Sequence, residues 1–252
     1  MKKKYPRQIH FEKVLNFRDL GGYKARGGRT VMWRRLFRSA ELANMTRNDF
    51  NRLKEEIGPI SVIDLRSDTE RERRGIGLLS EAGVRYHHIS FITDGGDQRG
   101  DERRYKDFTN MGDFYVYLVR NGQFGRRIIE ALEVIAAPEN HPLVFHCAVG
   151  KDRTGLLAAI LLSVLGVRDE DIIEDYTLSA PSIKEFFARF IRDPKTAEFA
   201  RNIPGFFWEA VPESMALFLA GLKKEYGSTR DYLTAQGADT SLVSRLENAL
   251  LA

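Results

Sequence analysis

The stretch that most constrains this chain runs from Pro142 to Gly166: PLVF, then HCAVGKDRTG, then LLAAILLSVLG. A short apolar run that ends abruptly in polar and glycine residues reads as a buried strand. The second apolar run, extended to Val167, is apolar nearly all round and much shorter than the ~20 residues a membrane span needs. It predicts a helix buried in a protein core. A strand, a tight loop and a buried helix in that order are the elements of an α/β sheet, whose ligands gather at the carboxyl ends of the strands. The loop also holds Cys147, the only cysteine in 252 residues, so an internal disulfide framework is excluded.

The remaining sequence predicts more of the same alternation. A strand is expected within 31–38, and a helix over TRNDFNRLKEEIG, with Thr46 as N-cap, Asp49 completing a capping box and Gly58 as the stop. PISVIDLRS (59–67) and VRYHHISF (84–91) read as strands, and SDTERERR as a short helix capped by Ser67 or Asp68. TDGGDQRGDERR (93–104) reads as a polar, glycine-rich loop. Helical patterns follow at DFYVYLV, RRIIEALEVIAA and DEDIIEDYTLSAPS, and beyond 183 the chain reads as helical throughout. The expected fold is therefore α/β: a largely parallel sheet flanked by helices, with further helices at the C-terminal end.

Cys147 and Arg153 are separated by five residues. A loop of that size can turn successive N–H groups inward as a nest for an anion, next to the positive end of the helix that follows. Ala148, Val149, Gly150, Lys151 and Thr154 are the expected walls of this nest, and Arg153 would close it with a bidentate fork on two phosphate oxygens. The same field favours a thiolate over a thiol, which makes Cys147 a nucleophile facing phosphorus. Thr154 is placed to donate a hydrogen bond to the sulfur, and His146 to orient the loop. Lys151 adds a cation that would attract a second phosphate.

Ten positive charges in excess lie within residues 1–40, against a slightly acidic remainder, although the whole chain carries only +4. That asymmetry suits an anionic ligand or surface, or a solvated basic arm at Lys2–Lys4. No nucleic-acid module is recognisable. The five histidines show no metal-ligand spacing, and the chemistry read here calls for no cofactor or metal. MKKKYPRQIH contains no apolar signal segment, so the expectation is a cytoplasmic protein, or one exported without a classical signal peptide.

HCAVGKDRTG resembles the cysteine-based phosphatase signature HCx5R[ST]G, and more closely the HCxxGKDRTG loop of the atypical bacterial tyrosine and phosphoinositide phosphatases. NFRDLGGY (16–23), IDLRSDTERE (63–72), DYTLS (175–179) and EYGSTRDYL (225–233) are similar to further motifs of that family, so the resemblance covers most of the chain. It implies one phosphatase domain over 1–252 with a helical lid near 183–219, a phosphocysteine intermediate, and phosphorylated proteins or phosphoinositide lipids as partners, the latter through peripheral contact with a membrane surface. It also implies that Asp152 serves as general acid and then base. Asp94, with Asp97 and Asp101 behind it, is the alternative acid, since no WPD-like tripeptide is present. Arg18, Asp19 and Arg66 are expected to brace the loop, with a salt bridge from Asp152 to Arg18 or Arg66 as the other reading of that aspartate. A phosphate-binding module without catalysis and a rhodanese-like sulfur transferase remain the rival readings.

Overall fold

The computed structural model describes residues 5–92, 107–192 and 194–252. Strands β1 (Arg18–Asp19), β2 (Leu36–Ser39), β3 (Ser61–Asp64), β4 (Arg85–His88) and β5 (Leu143–His146) form a sheet in the order β1-β2-β5-β3-β4. All neighbours are parallel except β1, which pairs antiparallel with β2 at one edge. The fold is thus the largely parallel α/β sheet that the alternation predicts. β5 sits in the middle, and in its register His146 lies opposite both Ser39 and Asp64. The three strands therefore end level, and the loop after His146 emerges from the centre of the carboxyl edge.

The period of two decides which side chains face which core. Leu36, Ile63, Leu143 and Phe145 enter the larger apolar cluster, while Phe37, Val62 and Val144 enter a smaller one. The smaller cluster is covered by α1 (Arg47–Arg52), which continues as a π-helical turn over Leu53–Ile57 and stops at Gly58, φ 61°. Thr46 and Asp49 form the expected capping box, and Ser67 and Glu70 form another at the start of α2 (Asp68–Arg74).

The helices of the larger cluster are α3 (Met111–Arg120), α4 (Gly122–Ala136), α5 (Asp152–Val164), α6 (Asp169–Thr177) and α7 (Ala180–Phe190), then, after α8 (Pro194–Asn202), which lies outside it, α9 (Pro212–Tyr226), α10 (Thr229–Ala235) and α11 (Leu242–Leu250). In α5 every residue from Thr154 to Leu162 is buried, as its continuous apolar sequence requires. α9 packs on α3 and α6, α10 on α5, and α11 on α4. Among the described residues, no helix is long and apolar enough to cross a membrane.

Two local expectations change. The strand expected within 31–38 begins only at Leu36, because Arg34 takes a left-handed conformation (φ 66°) with its N–H donating to Asp19 Oδ2 at 2.8 Å. That turn interrupts the extended chain, and Val31 bridges to Leu251 instead. GFFW (Gly205–Trp208) forms a single 3-10 turn, which the apolar pattern did not distinguish from helix packing.

Leu161 is fully buried in α5. Leu161→Ala is expected to destabilise the fold by about 2–5 kcal/mol, measured by urea unfolding, through lost transfer energy and an unfilled cavity.

Candidate active site

The loop from Cys147 to Lys151 turns at Gly150, whose φ is +73°. A side chain has no room there: a Cβ would stand 2.4 Å from the Ser39 carbonyl oxygen. Gly150 is held through both of its peptide groups. Its N–H donates to Cys147 Sγ at 3.2 Å, and its carbonyl accepts from Arg38 Nη2 at 2.8 Å and Asn16 Nδ2 at 2.9 Å. Asn16, itself left-handed at φ 60°, also donates to the Val149 carbonyl at 3.3 Å. Ala148 is fixed through its carbonyl, which accepts the Glu41 N–H at 3.2 Å.

Beneath the loop lies a buried charge cluster. Asp175 of α6 accepts from Arg18 Nε at 2.9 Å and Arg38 Nη1 at 2.6 Å, and all three side chains are about 1–2% exposed. Burial alone would raise the Asp175 carboxyl; the two guanidiniums outweigh it and hold the group at about 2, below the usual 3.8. Burial and the nearby Arg18 charge push Arg38 down to about 10. Arg18 also donates to the Asp175 carbonyl at 2.9 Å and to Ser179 Oγ at 3.2 Å.

At the other end, Arg153 is engaged by Glu70 from the first turn of α2. Nη2 donates to Oε1 at 2.9 Å, and Nη1 to Oε2, in a bidentate pair. Burial opposes both charges, and their mutual attraction prevails: Glu70 is held down at about 2, and Arg153 is held above its ordinary value, with Cys147 and Asp152 also contributing. Asp152 opens α5, where its Oδ1 accepts from the Tyr115 hydroxyl at 2.6 Å and lies 3.2 Å from Lys151 Nζ. Burial first, and the Asp152 charge second, keep the Tyr115 phenol well above its usual range, so it serves as a donor. Tyr115 and Tyr176 share a further hydrogen bond of 2.9 Å.

Cys147, Asp152, Arg153 and the loop residues Ala148, Val149 and Gly150 are thus brought together as the sequence predicts. Several partners differ. Lys151 is buried, with Nζ donating to the main-chain carbonyls of Phe207 and of Glu209, the latter at 3.1 Å. Its ammonium thus meets the segment above the loop. Thr154 makes no bond to sulfur; its Oγ1 is buried without a hydrogen-bond partner among the described residues. Asp152 contacts Tyr115 and Lys151 rather than Arg18 or Arg66.

Arg18 supports the loop through Asn16 and Asp175, but Asp19 instead caps Gly21 N–H at 2.8 Å and Arg34 N–H. Arg66 bonds Asp64, Glu41 and the Gly75 carbonyl, all outside the loop. His146 is fully buried, and burial lowers its imidazole below the ordinary range more strongly than Asp64, 3.9 Å away, raises it. Its Nδ1 donates to the Cys147 carbonyl at 3.3 Å, which assigns the hydrogen to that nitrogen. Asp94, Asp97 and Asp101 lie outside the described residues.

A model of the tyrosine phosphatase family matches residues 9–252. The chain belongs to the tyrosine phosphatase family. A Cupriavidus necator protein named as a tyrosine-protein phosphatase is 34% identical over 67% of this chain and 61% of its own length, so this chain spans about three fifths of that relative. The triple specificity protein phosphatase PtpB of Mycobacterium tuberculosis is 28% identical over 86% of this chain and 91% of its own. Among solved structures, the core catalytic domain of the PP-IP phosphatase SIW14 from S. cerevisiae is 17% identical, with a TM-score of 0.42 over 69% of this chain and 81% of that one.

Asn16, Arg38, Glu70, Tyr115 and Asp175 escaped the residue-level reading. Asn16, Glu70 and Asp175 stand inside the NFRDLGGY, LRSDTERE and DYTLS motifs, which was the available signal. Arg38 and Tyr115 carried none.

Two outcomes are expected of this tyrosine phosphatase loop. Gly150→Ala is expected to lower stability by more than about 1 kcal/mol and to abolish orthovanadate binding measured by calorimetry. Asp175→Asn leaves two buried guanidiniums without a counter-charge and is expected to cost about 3–5 kcal/mol at neutral pH. Because the folded-state carboxyl titrates at about 2 against 3.8 unfolded, its contribution is complete above 3.8 and fades as pH falls through 2. The gap between wild type and variant in urea unfolding should therefore narrow over that interval.

Proposed function

We propose that the protein is a metal-free phosphomonoester hydrolase that works through a phosphocysteine intermediate on phosphotyrosine proteins, phosphoinositides or both. The observation that carries the reading is the cradle itself: Cys147 Sγ accepts the Gly150 N–H at the floor of a loop bounded by Arg153. A phosphate there would meet inward main-chain N–H groups and a guanidinium already oriented by Glu70.

In the first step the Cys147 thiolate attacks phosphorus in line, the bond from phosphorus to the leaving oxygen breaks, and Asp152 gives that oxygen its proton. In the second step water attacks phosphorus while Asp152 takes a proton from it. The sulfur–phosphorus bond breaks, and phosphate and thiolate are released. Arg153 and the N–H groups stabilise the equatorial oxygens throughout. Tyr115 holds one Asp152 oxygen by its 2.6 Å bond, which leaves the other free to face the leaving group. The Thr154 hydroxyl, without a partner among the described residues, is available to the sulfur as it departs in the second step. Residues 183–219 act as the lid of this one domain, meeting the loop through Lys151.

The test is phosphate release from phosphotyrosine, phosphoserine and phosphothreonine peptides and from soluble phosphoinositides. Wild type should release phosphate, and Cys147→Ser should not. Asp152→Asn should lower kcat by about 10²–10⁴-fold, and by less for a substrate whose leaving group needs no proton. Orthovanadate binding without release from any substrate would favour a non-catalytic phosphate-binding module instead.

A further inference from the structure

Lys151 is 1% exposed, and a buried ammonium is costly unless its donors are satisfied. Two of its three N–H groups go to the main-chain carbonyls of Phe207 and Glu209, and Nζ stands 5.0 Å from the centroid of the Phe207 ring. Its carboxylate partner is Asp152, with Nζ 3.2 Å from Oδ1. We propose that Lys151 is a positioning residue for Asp152: the turn Gly205–Trp208 holds the ammonium against Oδ1, and Lys151 and Tyr115 together reserve Oδ2 as the oxygen that gives and takes the proton. The proposal rests on the phosphatase reading, in which Asp152 is acid and then base, and adds what decides which of its oxygens does that work.

The two oxygens of Asp152 stand in different company. Oδ1 meets the Tyr115 hydroxyl at 2.6 Å and the Lys151 ammonium at 3.2 Å. Oδ2 makes no hydrogen bond among the described residues. A proton placed on Oδ1 would confront both a cation and a hydroxyl hydrogen, so the neutral acid carries its proton on Oδ2. In the first step the Oδ2–H bond breaks as the leaving oxygen takes that proton. In the second step Oδ2 takes a proton from the attacking water, which restores the acid. Tyr115 is itself held: its one hydrogen goes to Asp152, so the 2.9 Å bond between the two phenols is donated by Tyr176.

The turn that supplies the two carbonyls has its own anchorage. Trp208 packs against Phe187 and Phe190 of α7, with ring centroids 4.9 and 5.4 Å apart, and Phe207 meets Trp208 edge-on. The ammonium is therefore placed by packing that lies outside the phosphate loop. A lysine that touched the substrate phosphate would assist every phosphomonoester alike. A lysine that positions Asp152 assists most where the leaving oxygen needs a proton.

The test is the dependence of kcat/KM, which reports the first chemical step, on the basicity of the leaving group across a series of aryl phosphates. Lys151→Met and Tyr115→Phe should each lower kcat/KM for phenyl phosphate at least about tenfold more than for a dinitrophenyl phosphate, whose leaving group departs without a proton. Trp208→Ala removes the packing of the turn on α7 and should tilt the series in the same direction. Added to Lys151→Met it should cost less than about a further twofold, because both changes act through one ammonium.

Equal losses across the series in Lys151→Met, the pattern of a phosphate contact or of a loosened loop, would overturn the positioning role and leave the phosphatase reading standing. Losses that multiply in the double variant would overturn the part assigned to the turn. Wild type that releases phosphate from none of the esters would overturn the phosphatase reading, and the positioning role with it.

Discussion

The site depends on one residue of the loop. Gly150 gives its N–H to the Cys147 sulfur while its carbonyl accepts from Arg38 and Asn16, so the turn of the loop and the place of the thiol are tied to the same residue. The arginine that grips the carbonyl is itself held in place by Asp175, which also holds Arg18. Buried ion pairs are expensive to assemble and add little net stability over apolar packing, but they define geometry sharply once formed. Here the defined object is the turn that follows β5 at the carboxyl edge of the sheet.

Two further contacts orient the groups that line the cradle. Glu70 holds Arg153 with both oxygens, so the guanidinium is presented as a flat fork rather than a flexible charge. Tyr115 holds Asp152 at the first turn of α5. Each support comes from a different helix, and each helix is anchored in its own right: α2 by the Ser67 capping box, α3 and α6 by packing under α9. Side chains locked by such outer contacts keep their reacting geometry without reorganising on binding.

Much of this was legible in the chain. Local signals, such as the Thr46 and Ser67 caps, the Gly58 stop and the continuously apolar α5, give local structure directly, because each acts within a few residues. The loop was legible for the same reason. Its supports were not: Arg38 reaches Asp175 across 137 residues and Asn16 reaches Gly150 across 134. Lys151 shows the limit most clearly. Its place in the loop suggests a substrate contact, and only the fold brings the carbonyls of Phe207 and Glu209 over it.

The central claim is that Cys147 carries the phosphoryl group between two steps. The most direct measurement is acid quenching of wild type during turnover of a phosphotyrosine peptide, followed by peptide mass spectrometry. The account predicts one phosphoryl group on the peptide containing Cys147, absent when Cys147→Ser is treated alike. Sustained phosphate release with Cys147 unmodified at every quench time, or by Cys147→Ser itself, would contradict it.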